Sequence, residues 1–160
     1  RKKKIDFTVK YYNTPAKLVA KKDAGFAGTA AGLDGKRLGV QRATTHQCSA
    51  EKLYPGAELV LYGTQEEVWQ DLAAGRLDAQ LSDSLQAYEG FLALDAGKDF
   101  DFLGGAIDDI ECQGVGAGFA VRKEDSELRD ALSQVILDIR ADGSYKAMND
   151  QYFAVDIYGN

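Results

Sequence analysis

The residues of this chain best placed to do chemistry are two adjacent threonines, one aspartate and one histidine. Leu38-Gly-Val-Gln-Arg-Ala-Thr-Thr-His46 is an apolar run that stops at Thr44 and Thr45, where a helical pattern begins. A strand feeding a helix N-terminus in this way outlines an anion site. Its unpaired N–H groups and positive dipole end attract a carboxylate, and Thr44 or Thr45 can add a hydroxyl donor or cap the helix. A capped helix in an ordinary α/β domain explains Thr-Thr taken alone, so the rest of the chain has to decide. Asp83 follows Leu77-Asp-Ala-Gln-Leu81 and precedes another helical stretch. Its carboxylate can cap that helix or hold an ammonium group. An anion site and an ammonium site on one sheet match the two charged ends of an α-amino acid.

Periodicity supplies the elements that would position these groups. Residues 36–41 read as a strand, and 45–54 as a helix closed by Pro55-Gly56. A second strand spans 58–62. Thr64-Gln-Glu-Glu67 is a capping box opening a helix whose Val68 and Leu72 share a face and which ends at Gly75. A third strand (77–81), a third helix (84–94) and a fourth strand (100–103) follow. Such alternation predicts an α/β fold with a parallel sheet and right-handed crossovers, and ligands of such sheets bind beyond the carboxyl ends of the strands. After Gly114-Val-Gly-Ala-Gly118, a run suited to a bend or hinge, the pattern changes. Residues 119–122 read as a strand, Leu128, Leu132, Val135 and Ile139 as the apolar stripe of a long helix ended by Asp142-Gly143, and 144–152 as a short helix. The glycine run lacks the Lys-Ser/Thr ending of a phosphate loop and precedes a strand.

Composition narrows the function classes. The 160 residues carry 19 Lys and Arg against 25 Asp and Glu, for a net charge of -6, and apart from Arg1-Lys-Lys-Lys4 the basic residues are scattered. That balance argues against nucleic acid as the main partner. A chain of this length buries about 70% of its unfolded surface and folds without staples. No stretch approaches the roughly 20 apolar residues that span a bilayer, and no apolar signal-peptide region follows the basic start. Cys48 and Cys112 lie far apart and show no metal-ligand spacing, so a disulfide and two buried thiols both stay open. His46 is the only histidine, with no second imidazole to share a metal, and no cofactor is implied.

Several blocks in order carry a resemblance. They are Leu33-Asp-Gly-Lys-Arg-Leu-Gly-Val-Gln-Arg-Ala-Thr-Thr45, Asp71-Leu-Ala-Ala-Gly-Arg-Leu-Asp-Ala79, Leu81-Ser-Asp-Ser84, Gly114-Val-Gly-Ala-Gly-Phe-Ala-Val-Arg-Lys-Glu-Asp125, Ile139-Arg-Ala-Asp-Gly-Ser-Tyr145 and the ending Asp156-Ile-Tyr-Gly159. Together they resemble the polar amino-acid solute-binding proteins (family 3) of bacterial ABC importers, and within them the histidine and lysine/arginine/ornithine binders. The resemblance implies a type II periplasmic-binding-protein fold in two lobes, a polar or basic amino acid as ligand, a membrane permease as partner and a periplasmic location. It implies that Thr45 holds the ligand carboxylate, with Thr44 in the same turn, and Asp83 the α-ammonium, with Gln41, Ala43 and His46 beside the ligand. Ala43 replaces the glycine common in that turn. Arg1 aligns with the family arginine that grips the carboxylate in a bidentate fashion, although a chain end offers nothing to fix it. Export would allow Cys48 and Cys112 to pair.

The resemblance also sets the expected domains. Residues 13–116 form a complete parallel-sheet second lobe, and 1–12 with 117–160 form only the hinge segments and C-terminal part of the first. Such a partial lobe would leave the Leu128 to Ile139 stripe exposed unless a second copy or a swapped element covered it. Three other readings compete with a binding protein that is not an enzyme. One is a periplasmic dehydratase-like enzyme on the same fold, using His46 or Glu51, for both of which solvent-facing helix positions are expected. The others are a sensor module of a membrane receptor and an interaction protein without ligand.

Overall fold

A computed structural model describes residues 4–153 and 156–159 of the chain. In chain order the strands are β1 (Ile5–Tyr12), β2 (Ala16–Lys21), β3 (Arg37–Gln41), β4 (Glu58–Tyr62), β5 (Ala79–Asp83), β6 (Phe100–Ile107) and β7 (Ala117–Arg122). The helices are α1 (Thr45–Leu53), α2 (Gln65–Ala73), α3 (Ser84–Ala87), α4 (Ile110–Gln113), α5 (Ser126–Ala141) and α6 (Ser144–Tyr152). The chain divides into two units, Pro15–Gly114 and the flanking Arg1–Thr14 with Val115–Asn160.

The Pro15–Gly114 unit is a five-stranded sheet in the order β4-β3-β5-β2-β6. Strand β3 runs parallel to β4 and β5, as the alternating pattern requires. The wholly parallel sheet expected for this unit is corrected by β2, which runs antiparallel to both β5 and β6. Strands β3 to β6 therefore share one direction and β2 opposes them. The reason lies in the chain path, because β2 arrives from the other unit rather than through a helical crossover, so nothing fixes its direction to that of the strands that follow. Ala-Lys-Leu-Val-Ala is short and carries no turn signal, which hides it among strand-neutral residues.

Alternation along these strands builds two apolar layers, one on each face of the sheet. Leu18, Leu38, Val40 and Leu81 pack with Leu33, Ala50 and Tyr54 on the α1 face. Val19, Leu77 and Phe100 pack with Val68 and Leu72 of α2 and with Phe91 on the other. Helix α2 begins with the capping box read from sequence, Thr64 accepting from the Glu67 N–H and the Glu67 side chain accepting from the Thr64 N–H. The helix expected over 84–94 is α3 followed by a π-helical turn, Tyr88–Leu92.

The other unit pairs β1 with β7 in an antiparallel ribbon. Gly116 enters the ribbon at φ 127°, and a β-carbon there would lie 2.8 Å from the Tyr12 carbonyl oxygen, so the tight entry requires glycine. Helix α5 lies on this ribbon through a different face from the one expected. Ile136 is its buried residue, Arg129 reaches Asp6, and Ser133 Oγ accepts from the Val9 N–H. Leu132 and Ile139 share that face in part, whereas Leu128 and Val135 are exposed, at 52% and 55%. Two strands offer too narrow a surface to cover a whole helical stripe, so a polar residue set shares the contact and half of the apolar set is left in water.

Candidate functional site

Apart from Arg1, the residues of the expected site lie within the Pro15–Gly114 unit. Parallel β3 and β5 pair Leu38 with Ala79 and Gly39 with Gln80. Carried forward, that register sets the turn after Gln41 beside the end of β5 at Ser82 and Asp83. Two carboxyl ends that leave one sheet in the same direction thus bring together groups about forty residues apart in sequence.

Each group is held by its own local structure. Thr44 is the N-cap of α1, its hydroxyl accepting from the Gln47 N–H at 3.2 Å and donating to the Gln41 carbonyl at 2.7 Å. That assigns the cap to Thr44 and leaves Thr45, the exposed first residue of α1, with its hydroxyl outside the cap. The N–H groups of the first helical turn have no intrahelical acceptor and point out of the helix end. Ala43 sits at φ 59°, the one left-handed non-glycine residue among those described. Its N–H donates to Gln47 Oε1 at 2.7 Å, which holds the turn closed despite the cost of that conformation. Gln41 donates through Nε2 to the Gly63 carbonyl at 3.3 Å.

Asp83 ends β5 and caps α3, Oδ1 accepting from the N–H groups of Leu85 at 2.9 Å and Gln86 at 3.0 Å. The capping role weighed for it from sequence is therefore real. His46 is half-buried rather than facing solvent, and burial pushes its imidazole below the usual histidine range while the charge of Asp83 pulls it upward. Glu51 is exposed and accepts from the Gln47 side chain, so it faces away from any enclosed chemistry. Arg1 lies outside the described residues.

Behind the turn, α1 is fastened to α4. Cys48 and Cys112 form a disulfide. Lys52 Nζ lies 2.9 Å from Asp109 Oδ1 and 2.6 Å from Glu111, and Gln113 donates to Ser49 Oγ at 3.1 Å. The Lys52 ammonium, bonded to the nearly enclosed Asp109 carboxylate, holds that carboxyl below its ordinary range against the opposing effect of burial. Sequence reading found the cysteines but missed this polar fastening. Its one local signal was Asp109 ahead of Ile-Glu-Cys-Gln, the pattern of a helix cap. No cluster of metal-ligating side chains occurs among the described residues.

Residues 1–155 match the family described as bacterial extracellular solute-binding proteins, family 3. The chain belongs to that family. Among the family's curated members, it is 46% identical over its whole length to the L-arginine-binding protein of Pseudomonas aeruginosa and 42% identical over 99% of its length to the histidine-binding periplasmic protein of Salmonella typhimurium. It is also 39% identical to the lysine/arginine/ornithine-binding periplasmic protein of Escherichia coli. The chain spans 62% of the length of each of these relatives. An ancestral arginine-binding protein solved bound to arginine superposes with a TM-score of 0.80 at 25% identity, covering 96% of this chain and 66% of that one. The α/β architecture of a periplasmic amino-acid-binding protein, partly represented, is thereby shown for this family member.

Proposed function

We propose that the protein carrying this chain is the substrate-binding component of an ABC importer and takes a polar or basic L-amino acid. The observation that carries the reading is the meeting of an open helix N-terminus at Thr45 with the Asp83 carboxylate at neighbouring strand ends. The terminus suits the ligand carboxylate and Asp83 the α-ammonium, with Thr44, Gln41, Ala43 and His46 around them and Arg1 as a further carboxylate ligand. The names of the relatives support binding of arginine, histidine, lysine or ornithine rather than catalysis. The exposed setting of Glu51 counts against it as one of the two groups, His46 or Glu51, named for a dehydratase-like reading. A periplasmic location fits the disulfide and the relatives' names, and no helix among the described residues is long and apolar enough to cross a membrane. The partner in this reading is a permease of the inner membrane.

The domain reading that accompanies this proposal treats residues 13–116 as a complete lobe and 1–12 with 117–160 as part of the other. Exposed Leu128, Val135, Leu137 and Phe119 support association of the isolated chain with a second copy through the second of these. Light scattering on the 160-residue chain tests that, a monodisperse monomer counting against it. Calorimetry of the full-length protein with arginine, lysine, ornithine, histidine and a neutral apolar amino acid tests the function. Tight binding of one polar or basic ligand is expected; a folded protein that binds none of them overturns the proposal.

A further inference from the structure

Helix α1 is held to its unit unevenly. Its second half is anchored by burial, Ala50 and the following Tyr54 lying in an apolar layer of the sheet and Leu53 packed against it. Its first half, which carries the open terminus, lacks that anchor: Thr45 and Cys48 are exposed, and His46 and Gln47 are half-buried. Here the backbone relies on local bonds, from the Gln47 N–H to Thr44 Oγ1 and from the Cys48 N–H to the Thr44 carbonyl at 3.4 Å. A terminal turn held by so little frays. A covalent tie reaches this half from α4, the bridge between Cys48 and Cys112. Helix α4 has four residues, none of them buried, and follows the carboxyl end of β6. In the sheet, β6 is separated from β3, which leads into α1, by β5 and β2. The bridge thus joins elements that leave strands on either side of the one ending in Asp83. The other ties from α4, Lys52 to Asp109 and Glu111 and Gln113 to Ser49, fall at and beyond the middle of α1.

We infer that the Cys48–Cys112 bridge positions the ligand-carboxylate terminus of α1, so that reducing it weakens amino-acid binding while leaving the fold intact. This rests on the assignment of that terminus to the ligand carboxylate. The N–H groups of a fixed first turn are already aimed at the ligand, whereas a frayed turn has to be ordered as the ligand binds, at the expense of affinity. Re-ordering the backbone of roughly one residue corresponds to a loss of about tenfold. The fold survives because neither cysteine belongs to the apolar layers, and Lys52 and Gln113 keep α4 beside α1. The step is a thiol–disulfide exchange. The thiolate of a dithiol attacks the bridge, exposed at Cys48, and the second thiol of the reagent resolves the mixed disulfide. Two electrons and two protons pass to Cys48 and Cys112, which become thiols as the reagent closes to a cyclic disulfide. By linkage, bound ligand protects the bridge from reduction by the same factor.

Calorimetry of the full-length protein with arginine tests the inference in three states: oxidised, reduced with excess dithiothreitol, and reoxidised with oxidised glutathione. Thiol titration and far-ultraviolet circular dichroism report redox state and fold. Affinity should fall about tenfold on reduction and recover on reoxidation, with the circular dichroism unchanged. The double variant Cys48→Ser with Cys112→Ser, in buffer without reductant, should bind like the reduced protein, which assigns the effect to this bridge. Without ligand, hydrogen exchange at the Gln47 and Cys48 amides should speed up on reduction while the amides of β3 stay protected. A reduced protein that keeps its affinity, a double variant that binds like the oxidised wild type, unfolding of either, or unchanged exchange at those two amides overturns the inference. An oxidised, folded protein that binds none of the amino acids overturns the transport proposal and the carboxylate assignment with it, while the exchange rates still read whether the bridge holds the first turn of α1.

Discussion

Asp83 is asked to do two jobs, and replacing it by asparagine and by alanine separates them. Its Oδ1 accepts two N–H bonds, at 2.9 and 3.0 Å, at the start of a four-residue helix. Asparagine keeps an oxygen in that position and is as good a cap, so Asp83→Asn should change unfolding free energy by no more than a few tenths of a kcal/mol. Alanine removes the acceptor and should cost about 1 kcal/mol. Ligand binding depends on the charge instead. Removing one partner of an enclosed ion pair costs about 3–5 kcal/mol, and the half-exposed position of Asp83 selects the lower end of that range. At about 1.4 kcal/mol per decade, both variants should lose affinity about a hundredfold or more. Urea unfolding and calorimetry with arginine read the two effects separately. Wild-type affinity in Asp83→Asn would refute the ammonium assignment and leave Asp83 a cap; unchanged stability in Asp83→Ala would refute the capping argument.

Three further outcomes follow from the same geometry. Ala43→Gly relieves a left-handed alanine and should stabilise the protein by about 0.5–1 kcal/mol in urea unfolding, the unfolded glycine's extra freedom offsetting part of the gain. Thiol titration under denaturing, non-reducing conditions should find no free thiol on Cys48 or Cys112, and replacing both by serine should cost at most about 4 kcal/mol, the closure entropy of a loop with a sequence separation of 64. Because Lys52 holds the Asp109 carboxyl below its ordinary value, the pair stabilises the fold above the unfolded carboxylate range and that contribution is lost as pH falls through the depressed folded value. The stability difference between wild type and Lys52→Met should accordingly be present at neutral pH and vanish in acid; a difference that persists in acid would refute the electrostatic account.

Much of this molecule was legible before its structure. Strands β3, β4 and β5, the capping box at Thr64 and the helix start at Thr44 are local patterns, written by apolar alternation and by hydroxyl or acidic caps within a few residues of one another. The block order around Thr45 and Asp83 likewise carried the family, because it is a property of the chain alone. Tertiary structure decided what depends on partners distant in sequence. It placed β2 antiparallel between β5 and β6, a choice made by sheet pairing rather than by any residue of Ala16–Lys21. It turned α5 so that Ile136, not Leu128 or Val135, meets the ribbon, since the width of the surface beneath a helix is not written in the helix. It joined Lys52 to Asp109 and Glu111 across a gap of more than fifty residues, and it half-buried His46 within reach of the charge on Asp83. Local sequence fixes φ, ψ and caps over a few residues, whereas strand direction, helix rotation and the meeting of charges depend on which surfaces the folded chain brings together.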